Sequence, residues 1–64
     1  MSGQEVVVTV IPLCDYCKQF GINRLAVVDG KTHVGLWANM CEPDFKAHGV
    51  GLGLGKGQRL VLQT

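Results

Sequence analysis

The sequence predicts a single small domain of the α+β class that needs a stabilising element beyond its apolar core. A chain of 64 residues buries only about 60% of the surface that it exposes when unfolded. Short strand-like runs surround one short helical pattern, which indicates the α+β class. Three cysteines provide the third observation, because domains of this size are commonly stabilised by disulfides, metals or oligomerisation.

The cysteines favour a metal over disulfides. Their number is odd and no secretory signal precedes them, so we expect a chain in the reducing cytoplasm. Clustered cysteines more often bind metal there. The apolar run 6–13 contains Pro12 and is too short to span a bilayer, so no membrane association is expected.

Residues 6–11 predict the first strand, because all six are β-branched. Their apolar side chains lie on both faces, which predicts cover on both sides, from the domain or from another chain. Pro12 ends this strand and leads into a tight turn at Cys14-x-x-Cys17. Two cysteines at this spacing can hold one metal ion.

A hairpin is predicted after this tight turn, which we call the cysteine knuckle. Residues 18–23 are expected to form a loop in which Phe20 is buried. Strands at 25–28 and 34–38 flank Asp29-Gly30, a strong turn signal. Trp37 is expected to pack across the resulting sheet.

Residues 41–49 predict a short helix. Pro43 suits the first turn, where its missing N–H is no loss, and the acids Glu42 and Asp44 suit the positive end of a helix. Gly49 is expected at the C′ position. Cys41, with an acid three residues after it, supplies the second half of a metal site.

The tail alternates glycine with larger residues over 49–59, and residues 60–62 predict a final strand. A phosphate loop is excluded, because Val50 stands where its first glycine is required and Gly57 where Ser or Thr should follow the lysine. Internal packing and direct binding by this segment both remain open.

A knuckle, a hairpin and then a helix that carries the other half-site make the element order of a treble-clef zinc finger. The prediction is one metal-stabilised domain over 1–64. It comprises a finger core at 13–48, an added N-terminal strand at 5–11, and a glycine-rich segment with a final strand at 49–62.

The chain resembles a group of small uncharacterised proteins that phages of actinobacteria encode, over roughly residues 14–60. The resemblance implies a zinc finger and the cytoplasm of an infected bacterial host, and it implies no activity. In that group the position of Asp44 is often His or Cys. The shared motifs are Cys14-x-x-Cys17, Asp29-Gly30-Lys31-Thr32, Gly35-x-Trp37-Ala38-x-Met40-Cys41-x-x-Asp44-Phe45 and Gly49-Val50-Gly51-Leu52-Gly53-x-Gly55-Lys56-Gly57-Gln58.

The predicted ligands are Cys14, Cys17, Cys41 and a fourth donor, which the sequence leaves open. Imidazole is a better zinc ligand than carboxylate, but Asp44 lies one helical turn from Cys41, whereas His48 lies about 10 Å along the axis. His33, expected at the hairpin tip, and solvent are further alternatives.

No catalytic constellation is found, so the prediction is a non-enzymatic module with no small-molecule substrate. Three thiolates and one zinc ion take the formal charge of +1 to neutral, which favours a protein partner or self-association. Nucleic-acid binding through the glycine-rich basic tail is the alternative. The candidate binding residues are Val6, Val8, Val10, Leu52, Leu54, Lys56 and Arg59.

Overall fold

In residues 5–63, a four-stranded sheet and two short helices make up the fold, which confirms the α+β class. The computed structural model describes residues 5–63; the predicted domain 1–64 also includes residues 1–4 and 64, which lie outside the described residues. The sheet order is β1-β4-β2-β3, with β1 parallel to β4 and the other pairs antiparallel. The elements are β1 (Glu5–Val8), α1 (Asp15–Gln19), β2 (Val28–Lys31), β3 (Trp37–Met40), α2 (Glu42–His48) and β4 (Gly57–Leu62).

The first and last strands of the described residues pair with each other in the sheet. Strand β1 is shorter than the predicted run 6–11, because the chain bends after Val8, and β4 begins three residues before the predicted 60–62. Parallel pairing places Val7 beside Val61. As β1 pairs with β4 alone among the strands of the described chain, it forms one edge of the sheet.

The hairpin lies three residues later than predicted, and the prediction of a turn at Asp29-Gly30 is wrong. Both residues lie inside β2, and the chain reverses between Thr32 and Leu36 instead. The Gly35 N–H donates to the Thr32 carbonyl at 2.9 Å, and Gly35 has a φ of 92°. The left-handed conformation that favours glycine is therefore required at Gly35.

Gly30 serves close packing between strands. It pairs with Gly57, and a Cβ at position 30 would lie 3.0 Å from the Lys56 carbonyl oxygen and 3.1 Å from the Gly57 Cα. Glycine in a strand interior often marks such a close approach of two backbones. The same residue that resembles a turn signal thus allows β2 and β4 to pair.

Three local expectations about residues 15–37 are corrected. A short helix, α1, runs over Asp15–Gln19, where the sequence predicts only a knuckle and the start of a loop. Phe20, expected to be buried, is exposed, and the Trp37 side chain keeps 50% of its surface exposed. Trp37 lies on β3, the other edge of the sheet, so no strand packs beyond it among the described residues.

The predicted helix at 41–49 is confirmed as α2, with Cys41 as its N-cap residue and Pro43 in its first turn. Gly49 ends the helix as expected, but its φ of −76° and ψ of 148° are extended rather than left-handed. Glycine is needed there because a Cβ would overlap the Phe45 ring.

The buried core is small and half of it is cysteine. The buried apolar residues within 5–63 are Cys14, Cys17, Ala26, Val28, Met40 and Cys41. The three cysteines form one cluster, against which Tyr16 packs. None of the helices in residues 5–63 has the length and apolar character that a membrane crossing requires.

Candidate metal centre

The knuckle is held by backbone hydrogen bonds on both sides of its two cysteines. The Cys14 N–H donates to the Arg24 carbonyl at 2.7 Å, and the Ile22 N–H donates to the Cys17 carbonyl at 3.0 Å. Cys14 is extended and precedes α1, whereas Cys17 lies within the helix. These contacts turn both side chains into the core, where both are buried.

The second half-site is the start of α2. Cys41 is the N-cap residue, and Asp44 is the third residue of the helix. The Phe45 N–H donates to the Cys41 carbonyl at 2.8 Å, which closes the first helical turn. Residues three apart lie on the same face of a helix, so the thiol and the carboxylate point the same way.

The two half-sites meet around one point. The Asp44 Oδ2 atom lies 3.1 Å from the Cys14 Sγ, 3.1 Å from the Cys41 Sγ and 3.4 Å from the Cys17 Sγ. The Cys17 and Cys41 sulfurs are 3.6 Å apart, and all four ligand atoms lie within 4.8 Å of one another. These four residues can hold a metal ion.

The spacing matches a tetrahedron around a single ion. Zinc–sulfur bonds of about 2.3 Å and zinc–oxygen bonds of about 2.0 Å place tetrahedral ligands about 3.8 Å apart for S···S and about 3.5 Å for S···O. The observed S···S distance of 3.6 Å is close to this value. The S···O distances of 3.1–3.4 Å are slightly shorter than the value for this tetrahedron.

The cluster favours a charged Asp44 carboxylate and a protonated Cys17 thiol. Hydrogen bonds from the Cys41 and Cys14 thiols hold the pKa of the Asp44 carboxyl below its ordinary value. Burial, with hydrogen bonds to Cys41, Cys14 and Asp44, raises the pKa of the Cys17 thiol to about 12. A metal ion entering the site must therefore displace the proton of Cys17, and it meets a carboxylate that is already charged.

One cation lies beside the cluster. The nearby Cys41 side chain, followed by Cys17, raises the pKa of the exposed Arg24 guanidinium above its ordinary value. Arg24 is not predictable as part of the site, because nothing in its spacing from the cysteines marks it. Arg24 lies beside the site because the chain returns past Cys14 after α1, where the Arg24 carbonyl accepts the Cys14 N–H.

Neither histidine joins the four residues. The His48 ring stacks on Tyr16, with ring centroids 4.3 Å apart and planes inclined by 13°. His33 lies in the hairpin loop, where its N–H donates to the His48 carbonyl at 3.0 Å. The group of metal-binding side chains found within residues 5–63 contains Asp44 as its fourth member.

The candidate partner-binding residues are spread over two regions. Val6 and Val8 are half-buried on β1, and Val10 lies beyond its end with 75% of its surface exposed. Leu52 is half-buried, whereas Leu54 is fully exposed at a tight turn that the Gly53–Gly57 pairing closes. The glycine-rich tail is therefore a folded loop.

The two basic candidates of the tail differ. Lys56 is exposed, and its backbone carbonyl accepts a hydrogen bond from the Lys31 N–H at 2.7 Å. The Arg59 Nη1 atom lies 3.4 Å from the Glu42 Oε1 atom. This ion pair partly neutralises the basic patch that the sequence predicts.

Comparison with protein-family models, with curated proteins and with solved structures found no match to this chain. The chemistry and spacing of the four clustered side chains therefore carry the functional assignment. Three sulfur atoms and one carboxylate oxygen are a donor set that suits a small divalent ion of borderline softness.

Proposed function

We propose that this chain is a non-enzymatic zinc-binding module that acts by binding a protein partner. The observation that carries the proposal is the close approach of three cysteine sulfurs and one aspartate oxygen, all within 4.8 Å. Zinc is the ion that best fits this set, since thiolates dominate it and a tetrahedron describes its spacing. The distances are too short to enclose a cluster of several metal ions.

A structural role is favoured over a catalytic one. Four protein donors fill a tetrahedron and leave no open position for water or substrate. The three cysteines are also half of the buried apolar residues in the described chain, so an ion there would stabilise the core itself. Structural zinc contributes about 10–16 kcal/mol in small peptides, which is comparable to the stability of a whole domain.

The element order supports a treble-clef-like finger. A cysteine knuckle precedes the β2–β3 hairpin, and the following helix carries the remaining two donors in its first turn. Strands β1 and β4 are additions to this arrangement. They extend the sheet beyond the hairpin on the side away from β3.

The β1–β4 pair is the surface that best fits a protein partner or a second copy of the chain. The principal contacts of both helices are with β3, which is at the opposite end of the sheet order from β1. Val7 keeps 63% of its surface exposed beside Val61, and Val8 lies beside Leu62 on the other face. Apolar edge strands of this kind tend to recruit another strand.

Metal analysis and salt dependence test the proposal. The purified chain should contain about one zinc ion, and cobalt in its place should show the visible absorption of a tetrahedral thiolate site. A chain that folds without metal would contradict the assignment. Binding to a protein partner should change little between low and high salt, whereas the alternative, nucleic-acid binding, weakens steeply as salt rises.

A further inference from the structure

A cleft lies between α1 and the outer edge of β3. β3 is the edge strand at the opposite end of the sheet from β1. The volume of the cleft is about 230 Å³. Asp15, Tyr16 and Gln19 line it from the helix, and Trp37 and Leu36 line it from the hairpin. The metal ligands do not line this cleft.

The backbone of β3 presents hydrogen-bonding groups to this cleft. The β2–β3 register pairs Lys31 with Trp37, and the Thr32 N–H donates to the Leu36 carbonyl at 2.8 Å. Antiparallel strands alternate the direction of these groups, so the N–H groups of Trp37 and Asn39 point away from β2.

One of these two outward groups already has a partner. The Asn39 N–H donates to the Asp15 Oδ2 atom at 2.8 Å, so the α1 carboxylate takes the place of a neighbouring strand. None of the turn, loop or side-chain hydrogen bonds within residues 5–63 engages the Trp37 N–H. A short stretch of strand edge at Trp37 is thus left for a ligand.

The charge of the cleft is negative. Asp15 is the only charged residue among those that line it, and its Oδ1 atom makes no hydrogen bond among the described residues. The half-exposed Trp37 ring and the exposed Leu36 side chain provide apolar and aromatic surface nearby. A side chain with an apolar stem and a cationic tip matches this combination, because aromatic faces and carboxylates both attract cations.

We propose that the cleft binds a short extended segment of a partner protein, with a lysine or arginine of that segment beside Asp15. The segment adds a strand to β3 at Trp37, and its backbone satisfies the outward N–H of that residue. This site is separate from the β1–β4 pair, and it extends the proposed protein-binding function by naming the chemistry of a ligand.

Trp37 is the only tryptophan, so its fluorescence reports directly on the cleft. The zinc-loaded chain would be titrated with a peptide of sequence Thr-Val-Lys-Val-Thr, blocked at both ends. The same peptide with glutamate in place of lysine is the comparison. The lysine peptide should change the Trp37 emission saturably, and the glutamate peptide should bind at least about twofold more weakly.

Asp15→Asn tests the charge, because the asparagine oxygen still accepts the Asn39 N–H. Glu5→Gln, on the opposite edge of the sheet, is the matched control. Asp15→Asn should reduce the affinity for the lysine peptide by about two- to fivefold and leave the affinity for a leucine-centred peptide unchanged. Glu5→Gln should alter neither affinity. In an antiparallel pair the peptide residue that faces Trp37 also donates its own N–H to the Trp37 carbonyl, so N-methylation of that residue should abolish binding.

Two results would overturn the inference. One is an unchanged Trp37 emission with the lysine peptide at millimolar concentration. The other is equal binding of the lysine and glutamate peptides. The visible spectrum of the cobalt-substituted protein reports on the metal site independently. A failure of peptide binding is thereby distinguished from a failure of the zinc assignment.

Discussion

Replacement of Asp44 by alanine is the sharpest test of the ligand set. The variant removes the one carboxylate oxygen that lies within 3.1–3.4 Å of all three cysteine sulfurs. Substituting a residue that merely supports a metal ligand typically reduces metal affinity by about 10–100-fold. Loss of a direct ligand should reduce the zinc affinity by at least about 100-fold, which corresponds to about 2.7 kcal/mol of binding free energy.

His48→Ala should have the smaller effect. Its ring is stacked on Tyr16 and lies outside the group of four donors, so the expected loss is about tenfold at most. Glu42→Ala is the matched control, since Glu42 is an acid in the same first turn of α2 and pairs with Arg59. Asp44→His should retain tight binding, because imidazole is itself a good zinc ligand.

Competition with a chromophoric zinc chelator measures all four variants on one scale. The expected order of affinity places the wild type, Glu42→Ala and His48→Ala well above Asp44→Ala. If His48→Ala is the more damaging change, Asp44 is not the fourth ligand. The first turn of α2 must then rearrange when the ion binds.

Three further predictions concern pH, packing and association. Zinc affinity should rise with pH, since the Cys17 thiol, whose pKa is about 12, must lose its proton to the solvent; titrations in different buffers should therefore show proton release. Gly30→Ala should reduce the free energy of unfolding by about 1–3 kcal/mol, because its Cβ would lie 3.0 Å from a backbone oxygen; thermal unfolding of the zinc-loaded protein measures this. Val7→Lys with Val10→Lys should convert a dimer into a folded monomer in sedimentation experiments, because both side chains are exposed, Val7 on β1 and Val10 just beyond its end.

Each of these has a result that contradicts it. Zinc affinity that is flat between mildly acidic and neutral pH would mean that the thiols are not the ligands. An unchanged midpoint for Gly30→Ala would show that β2 and β4 do not approach closely at that position. A wild-type chain that remains monomeric at high concentration, with a lysine variant that keeps its fold, would remove β1 as a surface for self-association.

The metal centre was predictable because its two halves are local. Cys14 and Cys17 lie in one turn, and Cys41 and Asp44 lie on one face of a helix whose start Pro43 marks. Each half therefore depends on spacings that a sequence shows directly. The choice between Asp44 and His48 also rested on local helix geometry.

The strand register was not predictable, because a contact distant in sequence decides it. Asp29-Gly30 carries the composition of a turn, yet Gly30 lies inside a strand where its backbone must approach Gly57. Nothing near Gly30 in the sequence reports on that approach. The turn instead uses Gly35, which has the positive φ.

The short helix α1 and the cleft beside it also escaped the sequence analysis. A helix of five residues has too few positions for a hydrophobic period, and its first residue, Asp15, is fixed by a hydrogen bond to Asn39 across the fold. The exposure of Trp37 follows from the position of β3 at the sheet edge, which depends on the order of all four strands.

Circular dichroism before and after removal of zinc by a strong chelator tests the central claim most directly. The zinc-loaded chain should show a folded spectrum and a cooperative thermal transition, and one equivalent of zinc should restore both after chelation. The physical reason is that the three cysteines of the metal centre make up half of the buried apolar core in the described chain. A chelated protein that keeps its spectrum and its melting temperature would contradict the account.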